Sequence, residues 1–360
     1  VLGVAGCTAL LLIGFGIQDS ILPIVDKQSE QLTHNDMTIV LSDEKALTME
    51  QGLASTLDSS SAVRSWGAFY TKSTTLYNEE GGSADVSIVG AEDDARMTEY
   101  FTFRTRVGHD PIPFEEDSVI LTEKTALNLE LSVGDTFYVE AADGSRVPLV
   151  LTGITENYMF TRLYLSNAQL QALLGSTPEW NTVYGLTGCT TEAEYNALRT
   201  KLLGCNYVSS VSFTEDTTSM FGSLIGSLNY VVVLIIVCAA ALAAVVLYNL
   251  ISVNLAERKK ELATIKVLGF YDKEVYRYIF REIELLSLIG SGVGLLLGVP
   301  LHRFIVLTVE MDQLMFIRTI APHSYLLAVA LTMLFTFVVC FAMRRHVRHI
   351  SMVESMKAPE

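Results

Sequence analysis

The sequence predicts an α+β membrane protein: four transmembrane helices, the first truncated, with a large extracytoplasmic α+β domain between the first and the second. Three observations predict it. The 360 residues are 50% hydrophobic yet 18% charged, so the two characters must be segregated along the chain. Residues 19–220 hold 30 acidic and 12 basic residues, a net of −18, whereas the other 158 hold 10 and 13, a net of +3. Long uncharged apolar runs lie outside the acidic segment, and β-rich runs alternating with helical ones lie inside it.

A helix crosses about 30 Å of hydrocarbon with about 20 apolar residues. No charge occurs between Asp216 and Glu257, and Leu224 to Val253 is almost wholly apolar. Leu285 to Leu301 is uncharged, with Glu282 and Glu284 before it and Arg303 after it; Ile320 to Met343 is closed by Arg344 and Arg345. Val1 to Ile17 is apolar from its first residue, without an initiator Met or a basic flank. It reads as the later part of a span, so a longer natural chain is expected; the competing reading, a secretory signal peptide, lacks the basic start and the small-residue cleavage site. The predicted spans are 1–18, 221–253, 277–305 and 321–343.

Lys and Arg in the connecting segments set the orientation. Residues 254–281 carry Arg258, Lys259, Lys260, Lys266, Lys273, Arg277 and Arg281, and the tail 344–360 carries Arg344, Arg345, Arg348 and Lys357. Both are expected in the cytoplasm. The loop 306–320 has only Arg318, and together with the acidic domain it is expected outside.

The outer domain, 19–220, reads as two β-α-β units compatible with a ferredoxin-like split sheet. The first has strands at Met37–Leu41, Ala62–Tyr70 and Asp85–Val89 with a helix at Thr48–Leu57. The second has strands at Trp180–Leu186 and Tyr207–Phe213 around a helix at Glu192–Leu203. Between them, about 100–166, lies a small β-rich insertion: a helix at Glu123–Leu129, strands at Thr136–Glu140, Val147–Ile154 and Arg162–Leu165, and a hairpin turn at Asp143-Gly144. Cys7, Cys238 and Cys340 fall in apolar runs and read as packing residues. Cys189 and Cys205 flank the Glu192–Leu203 helix and form a candidate disulfide if the domain faces an oxidising space.

The segment 254–276 is the most informative. Leu255, Leu262, Ile265 and Leu268 recur at helical spacing, Glu257, Glu261, Lys260 and Lys266 form a charged face, and Gly269 supplies a stop. Two readings stand: a juxtamembrane helix drawn to anionic lipid, or a docking helix for a partner protein. The interleaved Glu257 and Glu261 favour docking, since carboxylates do nothing for a lipid-binding face. In the third span Gly290, Gly294 and Gly298 repeat every four residues, a ridge that lets another helix approach closely. A phosphate-cradling loop needs a strand before it and a helix N-terminus in water, which this stretch does not offer.

Glu257-Arg258, Glu261-Leu262-Ala263 and Leu268-Gly269, followed by Arg281-Glu282 and by Met352-Val353-Glu354-Ser355-Met356 in the tail, resemble the pattern of the FtsX-like permease family, the membrane subunits of MacB-type mechanotransmission ABC transporters. The outer domain is similar to that family's extracytoplasmic core at Val86-Ser87-Ile88-Val89-Gly90-Ala91 and at Val119-Ile120-Leu121-Thr122 leading into Val133-Gly134-Asp135. The start and the tail resemble the C-terminal repeat of a large two-repeat permease. The resemblance implies a bacterial cell membrane protein in which Glu257, Arg258, Glu261, Lys266 and Gly269 engage a cytoplasmic ABC ATPase dimer. ATP and magnesium would sit on that partner, with no cofactor on this chain. It also implies a second permease half, from the same chain or from another repeat, and lipid contact without nucleic acid.

Other chemistries lack their motifs. There is no GxxxxGK[ST] loop for ATP and no Gly-x-Ser-x-Gly elbow for a hydrolase. His346 and His349 share a helix face with Arg345 and Arg348, whose charge disfavours a metal there. Glu282, Glu284 and Arg303 lie at span ends, which argues against proton coupling. The alternative is a membrane-anchored receptor or scaffold that binds an extracellular ligand or a cell-wall enzyme without transport; an enzyme ranks third. The substrate is not legible, since an acidic outer surface also serves solubility. The topology makes a direct prediction: in intact cells, a Cys replacing Lys260 resists a membrane-impermeant maleimide and reacts once the membrane is permeabilised.

Overall fold

The computed structural model describes residues 1–50, 52–141, 144–257 and 271–348. They fold as two compact units, one of Val1–Leu22, Ile225–Val309 and Ile317–Glu360, the other of Pro23–Leu224 and Glu310–Phe316. In chain order the first half runs α1 (Leu2–Ile21), α2 (Pro23–Lys27), a π-helical turn (Gln28–Leu32), β1 (Met37–Leu41), α3 (Lys45–Thr48), α4 (Leu53–Asp58), β2 (Val63–Tyr77), β3 (Ser83–Ala91), α5 (Asp94–Tyr100), β4 (Val119–Thr122), α6 (Glu123–Asn128) and β5 (Thr136–Glu140). It continues with β6 (Arg146–Val150), β7 (Gly153–Thr155), β8 (Arg162–Leu165), α7 (Asn167–Leu174), β9 (Thr182–Thr187), α8 (Glu192–Leu203), β10 (Val208–Phe213), α9 (Thr214–Glu257), α10 (Asp272–Val309) and α11 (Pro322–Arg348).

The larger unit is built on one mixed sheet in the order β10-β1-β9-β2-β3-β8-β4-β7. Its first four strands form the split β-α-β arrangement: β1 is antiparallel to both β10 and β9, and β9 is antiparallel to β2. Each crossover therefore joins two parallel strands with one strand of the other unit between them. The stretch read as a β-rich insertion extends this sheet, because β8 adds to the free edge of β3 and carries β4 and β7 with it. The β5–β6 hairpin lies off this path and pairs with the end of β2 at Leu76↔Val139 and Tyr77↔Tyr138. Pro148 sits in β6, which pairs only with β5 and is therefore an edge strand, where proline is tolerated.

Side-chain alternation sorts the core by face. Val183, Ile39 and Val211 point to α4 and α8, which bury Leu53, Leu57, Leu198 and Leu202 against them. Further along that face Ile88, Leu163 and Leu121 pack under α6 and α7. The opposite face is aromatic: Phe69, Tyr184 and Tyr164 on the strands meet Tyr100, Phe101 and Phe103. Phe69 stands edge-on to Tyr184 and Tyr100 with ring centroids 4.8 and 5.6 Å apart, contacts worth about 0.5–1.5 kcal/mol each beyond the buried area.

Two local differences from the sequence reading have physical causes. The helix expected over Thr48–Leu57 is two short helices, because Gly52 is extended and lies so close to the Ala46 carbonyl that a Cβ would approach it to 2.5 Å. The strand expected over Val147–Ile154 divides into β6 and β7: Leu151 N bonds to Asp135 O, then Thr152 N turns to Val119 O. Residue 143 of the expected hairpin turn lies outside the described residues; Gly144 follows it at φ +81°.

The smaller unit contains the helical segments Leu2–Leu32, Tyr230–Val253, Arg281–Val309 and Pro322–Met343, or the parts of them within its bounds, each long and apolar enough to cross a membrane. α1 and α10 pack closely against each other. A Cβ on Gly294 would lie 2.6 Å from the Ala5 carbonyl oxygen and 2.7 Å from Thr8 Cβ. On Gly290 it would meet Val4 Cβ at 3.1 Å, and on Gly298 the Ala9 Cα at 3.3 Å. The glycines on one helix and Ala5 and Ala9 on the other thus bring the two backbones together. Beside this seam Thr8 Oγ1 lies 3.0 Å from Thr332 Oγ1 and 3.4 Å from Ser291 Oγ, linking α1, α10 and α11. Asp19 Oδ2 accepts from Ala321 N at 2.9 Å and from Ser324 Oγ at 2.6 Å, capping the start of α11 from a neighbouring helix.

A branched side chain at Gly294 has no space to enter. Gly294→Val should destabilise the helix bundle by about 1–3 kcal/mol, read as a lower unfolding temperature of the detergent-purified chain. Gly292→Val, where a Cβ meets nothing within 4 Å, should unfold close to the wild-type temperature.

Candidate functional site

The short connection between α10 and α11 is part of the larger unit. Its residues Glu310–Phe316 pack there as a separate piece of chain, and the segment Glu156–Phe160, which enters β8, holds them. Phe160 N donates to Gln313 O and Met315 N to Tyr158 O, both at 2.9 Å, with a bridge between Met159 and Leu314. Lys124 on α6 adds an ion pair of 2.9 Å to Glu310, whose other oxygen accepts from Phe316 N at 2.8 Å. The Glu310 side chain is 1% exposed and that of Lys124 13%. Removing one partner of so enclosed a pair strands the other charge, at about 3–5 kcal/mol.

The same segment holds the chain that leaves α1. Gln28 Oε1 accepts from Tyr158 N at 2.9 Å and from Met159 N at 3.2 Å, and Gln28 Nε2 donates to Asn157 Oδ1 at 2.8 Å. Asn157 Nδ2 in turn donates to the carbonyls of Met159 and Phe160. That bond helps fix Phe160 at φ +65°, a conformation bulky residues rarely adopt. Glu156 is buried; it accepts from Arg104 Nε at 2.6 Å and from the Tyr158 hydroxyl at 2.5 Å. Burial, reinforced by this bond to a carboxylate, pushes the Tyr158 phenol well above its usual range. Arg104 also reaches Gln31 on the π-helical turn, and Arg106 forks onto both oxygens of Glu123 at 2.8 and 2.9 Å. One knot of polar groups therefore grips two remote stretches of chain, one following α1 and the other joining α10 to α11.

The residues singled out from sequence fall elsewhere. Glu257 is exposed at the end of α9; Arg258, Glu261, Lys266 and Gly269 lie outside the described residues. Gly290, Gly294 and Gly298 line the α1 contact. Cys189 and Cys205 are two free, partly buried thiols packed on the α4–α8 side of the sheet, and burial raises the Cys189 thiol above its ordinary value. Cys205 Sγ is 3.6 Å from Thr56 Oγ1. Among the described residues no three His, Cys, Asp or Glu side chains gather as a metal site; His349 lies outside them. The knot at Glu156–Phe160 has no sequence motif. Its one local signal is a Glu-Asn pair in an otherwise apolar approach to a strand.

Two family models match the chain. The MacB-like periplasmic core domain covers residues 1–200, and the FtsX-like permease C-terminal region covers residues 233–352. Among solved structures, the chain is similar to the extracellular domain of the ABC-type transporter YknZ from Gram-positive bacteria, at 14% identity and TM-score 0.32 over 50% of this chain and 100% of that one. It is similar to the periplasmic region of MacB from Actinobacillus actinomycetemcomitans at 13% identity and TM-score 0.33, over 55% and 97%. A domain of a permease protein from Porphyromonas gingivalis aligns at 11% identity and TM-score 0.28, over 47% and 83%. A comparison with curated protein sequences returned no significant match. With a periplasmic-core match over more than half its length and a permease match over its last three apolar helices, the chain belongs to the FtsX-like permease family of MacB-type ABC transporter membrane subunits and is a multi-pass membrane protein.

Proposed function

We propose that this chain is the permease subunit of an ABC system in which a separate cytoplasmic ATPase dimer, carrying the ATP and magnesium, moves the outer domain through the membrane helices. The outer domain then exports, extracts or signals on the outer side, and this chain performs no catalysis itself. A second permease half, from another copy or another repeat of a longer chain, completes the assembly within the lipid. The ATPase contact falls on 254–276, through Glu257, Arg258, Glu261, Lys266 and Gly269.

The single observation that carries this reading is the knot at Glu156–Phe160. The chain that follows α1 is held there through Gln28, and the connection between α10 and α11 is held there through Glu310–Phe316. A domain that merely displayed a binding surface would need a tether at one point; this one holds two remote stretches of chain at the same place. α9 adds a third connection, running unbroken from the end of β10 to Glu257 beside the basic stretch.

The reading is tested by recovering the tagged chain from native membranes with its bound partners. Glu261→Lys should reduce the recovered nucleotide-binding ATPase at least tenfold. Glu310→Gln, which weakens the outer knot by about 3–5 kcal/mol, should leave the ATPase bound. ATPase recovery unaffected by Glu261→Lys would contradict the proposal.

A further inference from the structure

A cavity of about 220 Å³ opens inside the larger unit between the π-helical turn, β1 and the start of β8. Arg162 lines it. The side chain is largely enclosed by protein and lines the cavity, with its Cζ 5.5 Å from the Phe101 ring centroid and 5.9 Å from that of Phe160. Its hydrogen bond to a side chain is a long one, from Nη1 to the Tyr164 hydroxyl at 3.5 Å. Arg104 and Arg106 nearby are each paired with a buried or half-buried carboxylate; among the described residues Arg162 is paired with none. An enclosed cation without a counter-charge is costly, and a cavity beside it gives a counter-ion room.

Of the hydroxyls that line the cavity, those of Ser29, Ser212 and Thr214 donate to the carbonyls of Val25, Thr38 and Asn35; two others are set to donate into it. Thr33 Oγ1 accepts from Gln28 Nε2 at 2.7 Å, and Thr38 Oγ1 accepts from Asn35 Nδ2 at 3.0 Å. Each hydroxyl has spent a lone pair on an amide and keeps its own hydrogen for an incoming acceptor. One guanidinium fork and two hydroxyl donors match a single carboxylate, whose planar oxygens suit Arg. A phosphate dianion would leave more charge and more lone pairs unmet. Val25, Met159 and Phe160 supply an apolar wall, and the volume is below the roughly 300–1,000 Å³ typical of pockets for drug-sized ligands.

We infer that this cavity is a binding site for a small aliphatic carboxylate, with Arg162 and the Thr33 and Thr38 hydroxyls holding the carboxylate and Val25, Met159 and Phe160 the hydrocarbon body. The probe is butyrate, titrated against chloride at constant ionic strength into the detergent-purified full chain and followed by saturation-transfer NMR. Saturable binding is expected, at least tenfold weaker in Arg162→Gln and severalfold weaker in Thr38→Val, with phosphate binding less tightly than butyrate. No saturable binding of butyrate, equal binding by the wild type and Arg162→Gln, or tighter binding of phosphate would each overturn the assignment. An unfolding curve for each variant accompanies the titration, and if Arg162→Gln does not fold, Thr38→Val decides alone: binding equal to wild type refutes the site.

Discussion

The Gln28 carboxamide bridging to the Tyr158 and Met159 amides is the interaction on which the grip of Glu156–Phe160 on two remote stretches of chain depends. The segment Glu156–Phe160 lies at the entry to β8 and is largely buried without being regular structure. Buried backbone groups must find partners, and here they find them in chain from far away in the sequence. Gln28 satisfies two amides, Gln313 and Met315 satisfy further groups, and Asn157 holds the turn from inside. Loss of any one partner would leave orphaned donors in a water-poor place, so the two remote stretches are held by one set of requirements rather than two.

The smaller unit relies on a different constraint. Apolar side chains gain nothing from each other in hydrocarbon, so helices must gain from close backbone contact and from polar groups that have no water. Gly290, Gly294 and Gly298 provide the first against α1, and Thr8, Ser291 and Thr332 provide the second. Asp19 contributes a cap to α11 across the sequence. The α1–α10 seam therefore fixes two helices that each lead, along the chain, to a stretch held by the same outer segment.

Much of this was legible from one sequence. Met37–Leu41, Thr136–Glu140, Arg162–Leu165 and Glu192–Leu203 agree with the structure residue for residue, because each combines clear periodicity with a clear stop. The Thr191–Glu194 capping box fixes the start of α8. Helices α5 and α7 escaped notice since they are short, although Asp93 and Ser166 cap them and Gly175 ends α7 at φ +66°. The glycine ridge was visible as a period of four, but its partner was not, since packing between distant helices leaves no local pattern. The knot was invisible for the same reason: Gln28, Asn157 and Gln313 are ordinary polar residues whose meeting depends on tertiary structure. The Arg162 cavity likewise depends on what does not stand next to a charge, which a linear sequence cannot display.

The most direct measurement of the central claim is hydrogen–deuterium exchange on the full chain and on Gln28→Ala. Amide opening reports the local stability of a hydrogen-bonded unit. If one knot holds both stretches, removing the Gln28 carboxamide should speed exchange in residues 156–160 and in 310–316 together, while the β9 and β10 amides stay protected. Faster exchange confined to 156–160, with 310–316 as slow as in the wild type, would contradict it.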